Sequence, residues 1–252
     1  MARSDRAGGV GPRRALRISI AVVAGLIVVV AAAFLVWTRV ARYDAFPEAV
    51  AVAGERSPDG WYVFEPAEPA GVGFAFYPGA LVDPAAYAPL MAALAERGVL
   101  AVIVPMPLDL AFLGVGRDAD VIAAFPGVRA WAVGGHSLGG AMAAEFARAN
   151  PSAVAGLALL ASYPAESADL SGLPLSVVSL YGSRDGLPPE TFESSLARLP
   201  ADARLVRIEG GNHAQFGYYG PQKGDGVPTA SREAQQAVTI DAIADLVFSM
   251  HR

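Results

Sequence analysis

The sequence predicts an α/β domain, a mainly parallel sheet clothed by helices, preceded by one N-terminal transmembrane helix. Three observations carry this. Short apolar runs at Val72–Tyr77, Val99–Val104 and Val154–Leu160 alternate with helix-like segments, and they lack the polar alternation of half-exposed strands. Strands that are apolar throughout are buried on both faces, which is the condition of a parallel sheet between helices. Ahead of them, Ile18–Trp37 is a run of 20 residues without a charge. Finally, the 252 residues are 54% hydrophobic and only 17% charged, an apolar excess that a core alone does not require and a membrane segment absorbs.

In chain order, the reading begins with a basic N-terminus at 1–17 and an anchor at 18–38. As a helix, 20 residues span about 30 Å, the thickness of a bilayer's hydrocarbon core. Arg3, Arg6, Arg13, Arg14 and Arg17 precede the run and only Arg39 and Arg42 follow closely. The positive-inside bias therefore puts the N-terminus in the cytoplasm and the rest on the extracytoplasmic side of the cell membrane. A cleaved signal peptide is the competing reading, with a small-x-small pattern at Ala31–Ala33, but the apolar region of a signal peptide is shorter than this one. Residues 39–70 read as a linker with Pro47, Pro58, Pro66 and Pro69, interrupted by one short strand at Trp61–Phe64. The α/β domain then occupies 71–252: strand 72–77, a helix at Pro84–Arg97 capped by Asp83, strand 99–104, helix 119–125, strand 129–133, helix 139–149, and strands 154–160 and 174–181. Helix 190–199, strand 204–208 and a closing helix at Arg232–Met250 complete it.

Composition excludes several chemistries. Cysteine is absent, which removes disulfides, thiolate metal sites and cysteine nucleophiles. The first 42 residues carry seven arginines against Asp5, so the remainder holds −11 of a total −5. An acidic body without a basic face is not suited to nucleic acid. No Walker-type loop and no His-Glu-x-x-His sequence occurs, and no metal or cofactor is expected.

Gly135-His136-Ser137-Leu138-Gly139 has the form of a nucleophile elbow, in which a sharp strand-to-helix turn exposes a serine hydroxyl above a sheet. With 27 glycines in the chain, the pattern alone is weak; the preceding strand-like Trp131-Ala132-Val133 and the following helix-like segment give it its context. A serine needs a base, and there are three histidines. His136 is next to the serine on a tight turn, and His251 is penultimate. His213, in a loop directly after a strand, is the candidate. For the carboxylate that orients it, Asp185 follows strand 174–181 and keeps the order serine, acid, histidine; Asp169 is the reserve, and Asp109 precedes the serine. Acyl transfer also needs donors aimed at a developing oxyanion: the Leu138 N–H supplies one, and the loop Pro78-Gly79-Ala80 the other, with Ala80 preferred over Gly79.

These residues together resemble the α/β-hydrolase superfamily from about Gly71 onward. Phe76–Pro84, Val104–Leu108 and Gly210–Phe216, with the elbow, are similar in order to the alpha/beta hydrolase fold-5 family, some of whose members are membrane-anchored. The resemblance implies a hydrolase fold with the triad Ser137, Asp185 and His213. The related dienelactone hydrolases use a cysteine nucleophile, which this chain lacks, and that departure favours ordinary ester chemistry.

The expected activity is that of a membrane-anchored serine carboxylesterase acting on a small-molecule ester through an acyl-enzyme. An acyltransferase or amidase with the same triad, or a non-catalytic module on the same fold, are the alternatives. Only Ser162–Leu173 lie between the strand after the nucleophile helix and the next strand, too few for a helical cap. The site is therefore expected to be shallow and walled by Pro105–Gly116 and Asn212–Pro228, with Phe112, Phe216, Tyr218 and Tyr219 as apolar contacts, and to favour short to medium acyl groups.

Overall fold

The computed structural model describes residues 12–250; Arg3, Asp5, Arg6 and His251, used above, lie outside them. The chain divides into two units, one ending at Ala41 and the other beginning at Arg42. The first contains α1 (Pro12–Val40), within which the candidate span Ser19–Val40 holds an 18-residue stretch of mean hydropathy 2.9 with no buried residue. It is long and apolar enough to cross a bilayer, a property shared by signal sequences near an N-terminus.

The second unit holds a seven-stranded sheet in the order β1-β3-β2-β4-β5-β6-β7. The strands are β1 (Tyr62–Phe64), β2 (Val72–Tyr77), β3 (Val99–Ile103), β4 (Ala130–His136), β5 (Gly156–Leu160), β6 (Ser176–Gly182) and β7 (Arg204–Ile208). Only β1 runs antiparallel, against β3; every other pair is parallel. All residues of β2, β3 and β5 are buried, as their uninterrupted apolar sequences require. Alternate side chains feed two cores. Phe74, Phe76, Ile103 and Leu180 pack with α3 (Ala88–Ala95) and α7 (Arg232–Ser249) on one face. Tyr77, Val102, Trp131 and Leu159 pack on the other with α4 (Arg117–Ala124) and α5 (Leu138–Ala149).

Two differences from the sequence reading have clear causes. Residues 42–70 are not a free linker: Tyr43 bridges Val82, Ala45 bridges Tyr219, and α2 (Pro47–Ala53) buries Ala49 completely. Pro47, read as a breaker, stands in the first helical turn, where a missing N–H costs nothing. The expected helix at 84–97 opens as a 3-10 turn, Pro84–Tyr87, before α3. Pro89 has no N–H to continue an α-helical ladder back to Ala85, so the Ala88 N–H bonds Ala85 instead. Asp83 accepts the Ala85 N–H at 3.0 Å, the capping expected of it.

Because β2 passes to β3 on one side and β4 to β5 on the other, the loops leaving β2 and β4 diverge, opening a crevice at the carboxyl end of the sheet. α5 closes that crevice from below, and it does so by backbone contact. A Cβ on Gly139 would collide with the carbonyl oxygens of Tyr77 and Pro78, and one on Gly135 with the backbone of Gly139. Gly139→Ala is accordingly expected to destabilise the second unit by about 1–3 kcal/mol in denaturant unfolding. Gly127→Ala, at a position with open space around it, is expected to stay within about 0.5 kcal/mol; equal effects would show that the contact is not tight.

Candidate active site

Ser137 joins β4 to α5 with φ 52° and ψ −123°, a left-handed conformation that costs a non-glycine residue about 1–3 kcal/mol. Four backbone and side-chain bonds hold it there. The Ser137 N–H donates to Leu160 O at 2.9 Å, and Ser137 O accepts from Gly140 N, Ala141 N and the Ser162 hydroxyl, the last at 2.6 Å. A serine at a helix start ordinarily caps it; this one makes no capping bond, leaving its hydroxyl uncommitted.

His213 follows β7, and its Nδ1–H donates to Asp185 Oδ1 at 3.0 Å, both side chains being nearly buried. Asp185 follows β6, and the same oxygen accepts the Leu187 N–H at 3.0 Å, which fixes the carboxylate at the head of its turn. With Nδ1 engaged, Nε2 holds the ring's lone pair; it is buried and has no partner among the described residues. The reserve acid, Asp169, and the earlier Asp109 are occupied elsewhere. Asp169 is on an exposed turn accepting from Ser171, and Asp109 pairs with Arg42 at 3.1 Å.

The loop after β2 distinguishes the preferred donor, Ala80, from the reserve, Gly79. The Gly79 N–H donates to the Tyr87 hydroxyl at 3.0 Å, so it is spent; the Ala80 and Leu138 N–H groups have no acceptor among the described residues. Tyr87, fully buried, has a single proton, and since its oxygen receives the Gly79 N–H, that proton points to His136 Nδ1 at 2.8 Å. His136 is thus a buried acceptor, its ring centroid 4.5 Å from that of His213. Burial also holds the Tyr87 phenol well above its ordinary pKa, so it keeps its proton.

The residues that hold the His213 loop were not singled out in the sequence. Asp225 accepts the N–H groups of His213 at 3.0 Å and Ala214 at 2.8 Å. From α7, Gln235 takes the Asn212 N–H at 3.0 Å and donates to its carbonyl at 2.8 Å, while Arg232 donates to the carbonyls of Ala214, Gly217 and Tyr219. The signal was present in Gln235-Gln236, two amides that lie on the buried face of α7. One expectation is corrected here. Phe216 and Tyr219 are fully buried in the core beneath the loop and do not wall a pocket, whereas Phe112 is 51% exposed. Aromatic residues so close to a strand end fill the space that the loop leaves above the sheet. Among the described residues, no group of three or more His, Cys, Asp or Glu is placed to hold a metal ion.

The comparisons with known proteins agree with this fold. The profile of the alpha/beta hydrolase family matches residues 73–237, nearly two thirds of the chain, and the protein belongs to that family. Among solved structures, the Butyrivibrio proteoclasticus protein Est1E with ferulic acid bound is similar with a TM-score of 0.56 and 14% identity, covering 75% of this chain and 95% of that one. An esterase from Thermogutta terrifontis with propionate bound gives 0.53 at 15% identity, covering 73% and 87%. The same esterase phosphorylated by paraoxon gives 0.51 at 18% identity, covering 76% and 93%. At these identities the likeness is one of fold. No curated protein matches the sequence significantly.

Burial first, and the neighbouring His213 second, hold the His136 pKa well below its ordinary value. Below about pH 6.5 the unfolded chain then binds a proton that the folded protein refuses, so stability falls as pH falls. The unfolding free energy of the detergent-solubilised chain is expected to drop with a slope of up to about 1.4 kcal/mol per pH unit below that point. His136→Asn, whose Oδ1 still accepts from Tyr87, is expected to flatten the slope. An unchanged slope would assign the proton elsewhere.

Proposed function

We propose that the protein is a serine carboxylesterase, anchored in the cell membrane by residues 19–40 with its second unit on the extracytoplasmic side. The observation that carries the catalytic reading is the His213–Asp185 pair at 3.0 Å, with the unpartnered Nε2 of His213 at the same end of the sheet as the uncommitted Ser137 hydroxyl. Ser137 Oγ attacks the acyl carbon as His213 Nε2 takes its proton. Asp185 holds the imidazole in the right tautomer and stabilises its charged form. The N–H groups of Leu138 and Ala80 receive the oxyanion, His213 returns the proton to the leaving alcohol, and water releases the acyl group by the same steps in reverse. The family membership supports a hydrolase, and the neighbour crystallised with propionate supports a small acyl group.

With full-length protein in detergent micelles, Ser137→Ala and His213→Ala are each expected to lower kcat about 10⁴-fold or more on a chromogenic ester, with unfolding midpoints unchanged. Asp185→Asn is expected to fall short of complete loss. Ala80→Pro, which deletes one oxyanion donor, is expected to cost about 10²- to 10³-fold. Retained turnover in His213→Ala would remove the proposed base.

The acyl specificity follows from the walls. The segment between β5 and β6, residues 161–175, contains no helix, so it supplies no helical cap. A methylene gains about 0.8 kcal/mol only where it is buried, and an acyl chain extending past the rim gains nothing. Across p-nitrophenyl esters from acetyl to palmitoyl, kcat/KM is expected to be flat or falling beyond medium chains. A steady climb to the longest acyl group would refute this.

A further inference from the structure

The second unit begins with a strap across its own reactive end. Arg42 is clamped between Asp83, at 2.9 Å, and Asp109, at 3.1 Å. The Tyr43 N–H donates to Leu81 O at 2.7 Å, and Tyr43 O accepts from Asp83 N at 2.9 Å. Three residues further on, the Phe46 N–H donates to Tyr218 O at 2.8 Å. Residues 42–46 are therefore bonded on one side to the segment that carries Ala80 and on the other to the loop that carries His213. Beside the strap, the Lys223 N–H reaches the Tyr43 hydroxyl at 3.4 Å, and the flanking loops leave apolar side chains bare. Phe112 is 51% exposed, Leu113 45% and Val227 83%. All three are on loops at the carboxyl end of the strands.

The uncharged run ends at Trp37, and the candidate span, which includes Arg39, ends at Val40, two residues before Arg42. Two residues of chain reach about 7 Å at most, and the headgroup zone on each side of the hydrocarbon is about 5–8 Å deep. With residues 19–40 taken as a span, chain connectivity keeps Arg42, and with it Asp83 and Asp109, near headgroup depth.

We propose that the reactive end of the second unit rests on the lipid surface, with Phe112, Leu113 and Val227 among the headgroups, and that the substrate is a short-acyl ester of a membrane amphiphile. The shallow crevice takes the acyl group while the alkyl part of the alcohol stays in the bilayer. The bond from Ser137 Oγ to the acyl carbon forms as the bond to the amphiphile's oxygen breaks. That oxygen leaves with the proton relayed by His213, and water then frees the acid. This rests on the reading of residues 19–40 as a span and of Ser137 as the nucleophile.

The absence of cysteine makes a single introduced one a unique label. Full-length Phe112→Cys, Val227→Cys and, at the opposite end of the sheet, Gly127→Cys would each carry a nitroxide in phosphatidylethanolamine–phosphatidylglycerol vesicles. The labels at 112 and 227 are expected to collide with oxygen more than with an aqueous nickel complex, and the label at 127 the reverse. If all three meet nickel equally while the protein resists carbonate extraction, the docking is wrong and the span stands. If carbonate strips the protein, both fall. In the same vesicles, wild-type kcat/KM on the acetyl ester of a long-chain alcohol is expected to exceed that on the acetyl ester of a soluble alcohol by about tenfold or more, through local concentration. Equal values, with Ser137→Ala inactive on both, would overturn the substrate class and leave the esterase reading intact; no hydrolysis of either would remove that reading too.

Discussion

The reactive end of this protein depends on how closely the first turn of α5 approaches the exit of β2. Gly139 meets the carbonyl oxygens of Tyr77 and Pro78 with no room for a side chain, and Gly140 does the same to Ser162 and Gly135. That approach sets the Leu138 and Ala80 N–H groups at one end of the crevice and holds Ser137 in its left-handed conformation. A strained residue persists only where its surroundings over-determine it. Here the neighbouring strand through Leu160, the helix through Gly140 and Ala141, and the loop through Ser162 all bond to the backbone of the same residue. Relaxing Ser137 would mean losing several bonds at once.

The second requirement is to hold irregular backbone rigid next to the sheet. A loop has no ladder of its own, and buried N–H and C=O groups left unpaired are costly. The His213 loop finds its partners in Asp225 and in the first two turns of α7, where Gln235 engages both the N–H and the carbonyl of Asn212 and Arg232 gathers three carbonyls. The loop after β2 finds its partner in Tyr87. One phenol accepts the Gly79 N–H and donates its O–H to His136, which ties the loop after β2 to the strand that carries the serine. Among the described residues, the Ala80 and Leu138 N–H groups are left without acceptors.

Much of this was legible in the chain. The parallel strands follow from unbroken apolar runs, since a residue type buried on both faces has no reason to alternate. The serine follows from glycine spacing, because only glycine permits the elbow's close contacts, and elimination among three histidines points to His213. Residues 42–53 were misread because prolines mark both breaks and first helical turns, and local sequence does not say which. Phe216 and Tyr219 were misplaced for a similar reason: an aromatic residue in a loop reads the same whether it faces a ligand or the core.

By itself, then, the sequence determined the layered α/β architecture, the apolar helix of α1, and the residue types for acyl chemistry in their chain order. These depend on local period, composition and turn chemistry, which neighbouring residues encode. Tertiary structure joined what the sequence had only ranked: Asp185, preferred over Asp169, meets His213, Gly79, the reserve donor, is consumed by Tyr87 while Ala80 is not, and Arg42, which no motif marked, clamps the rim. Each joins groups from 8 to 67 residues apart in the chain. No local pattern records such a pairing, because the energy that selects it arises only when the sheet has brought the partners together out of water.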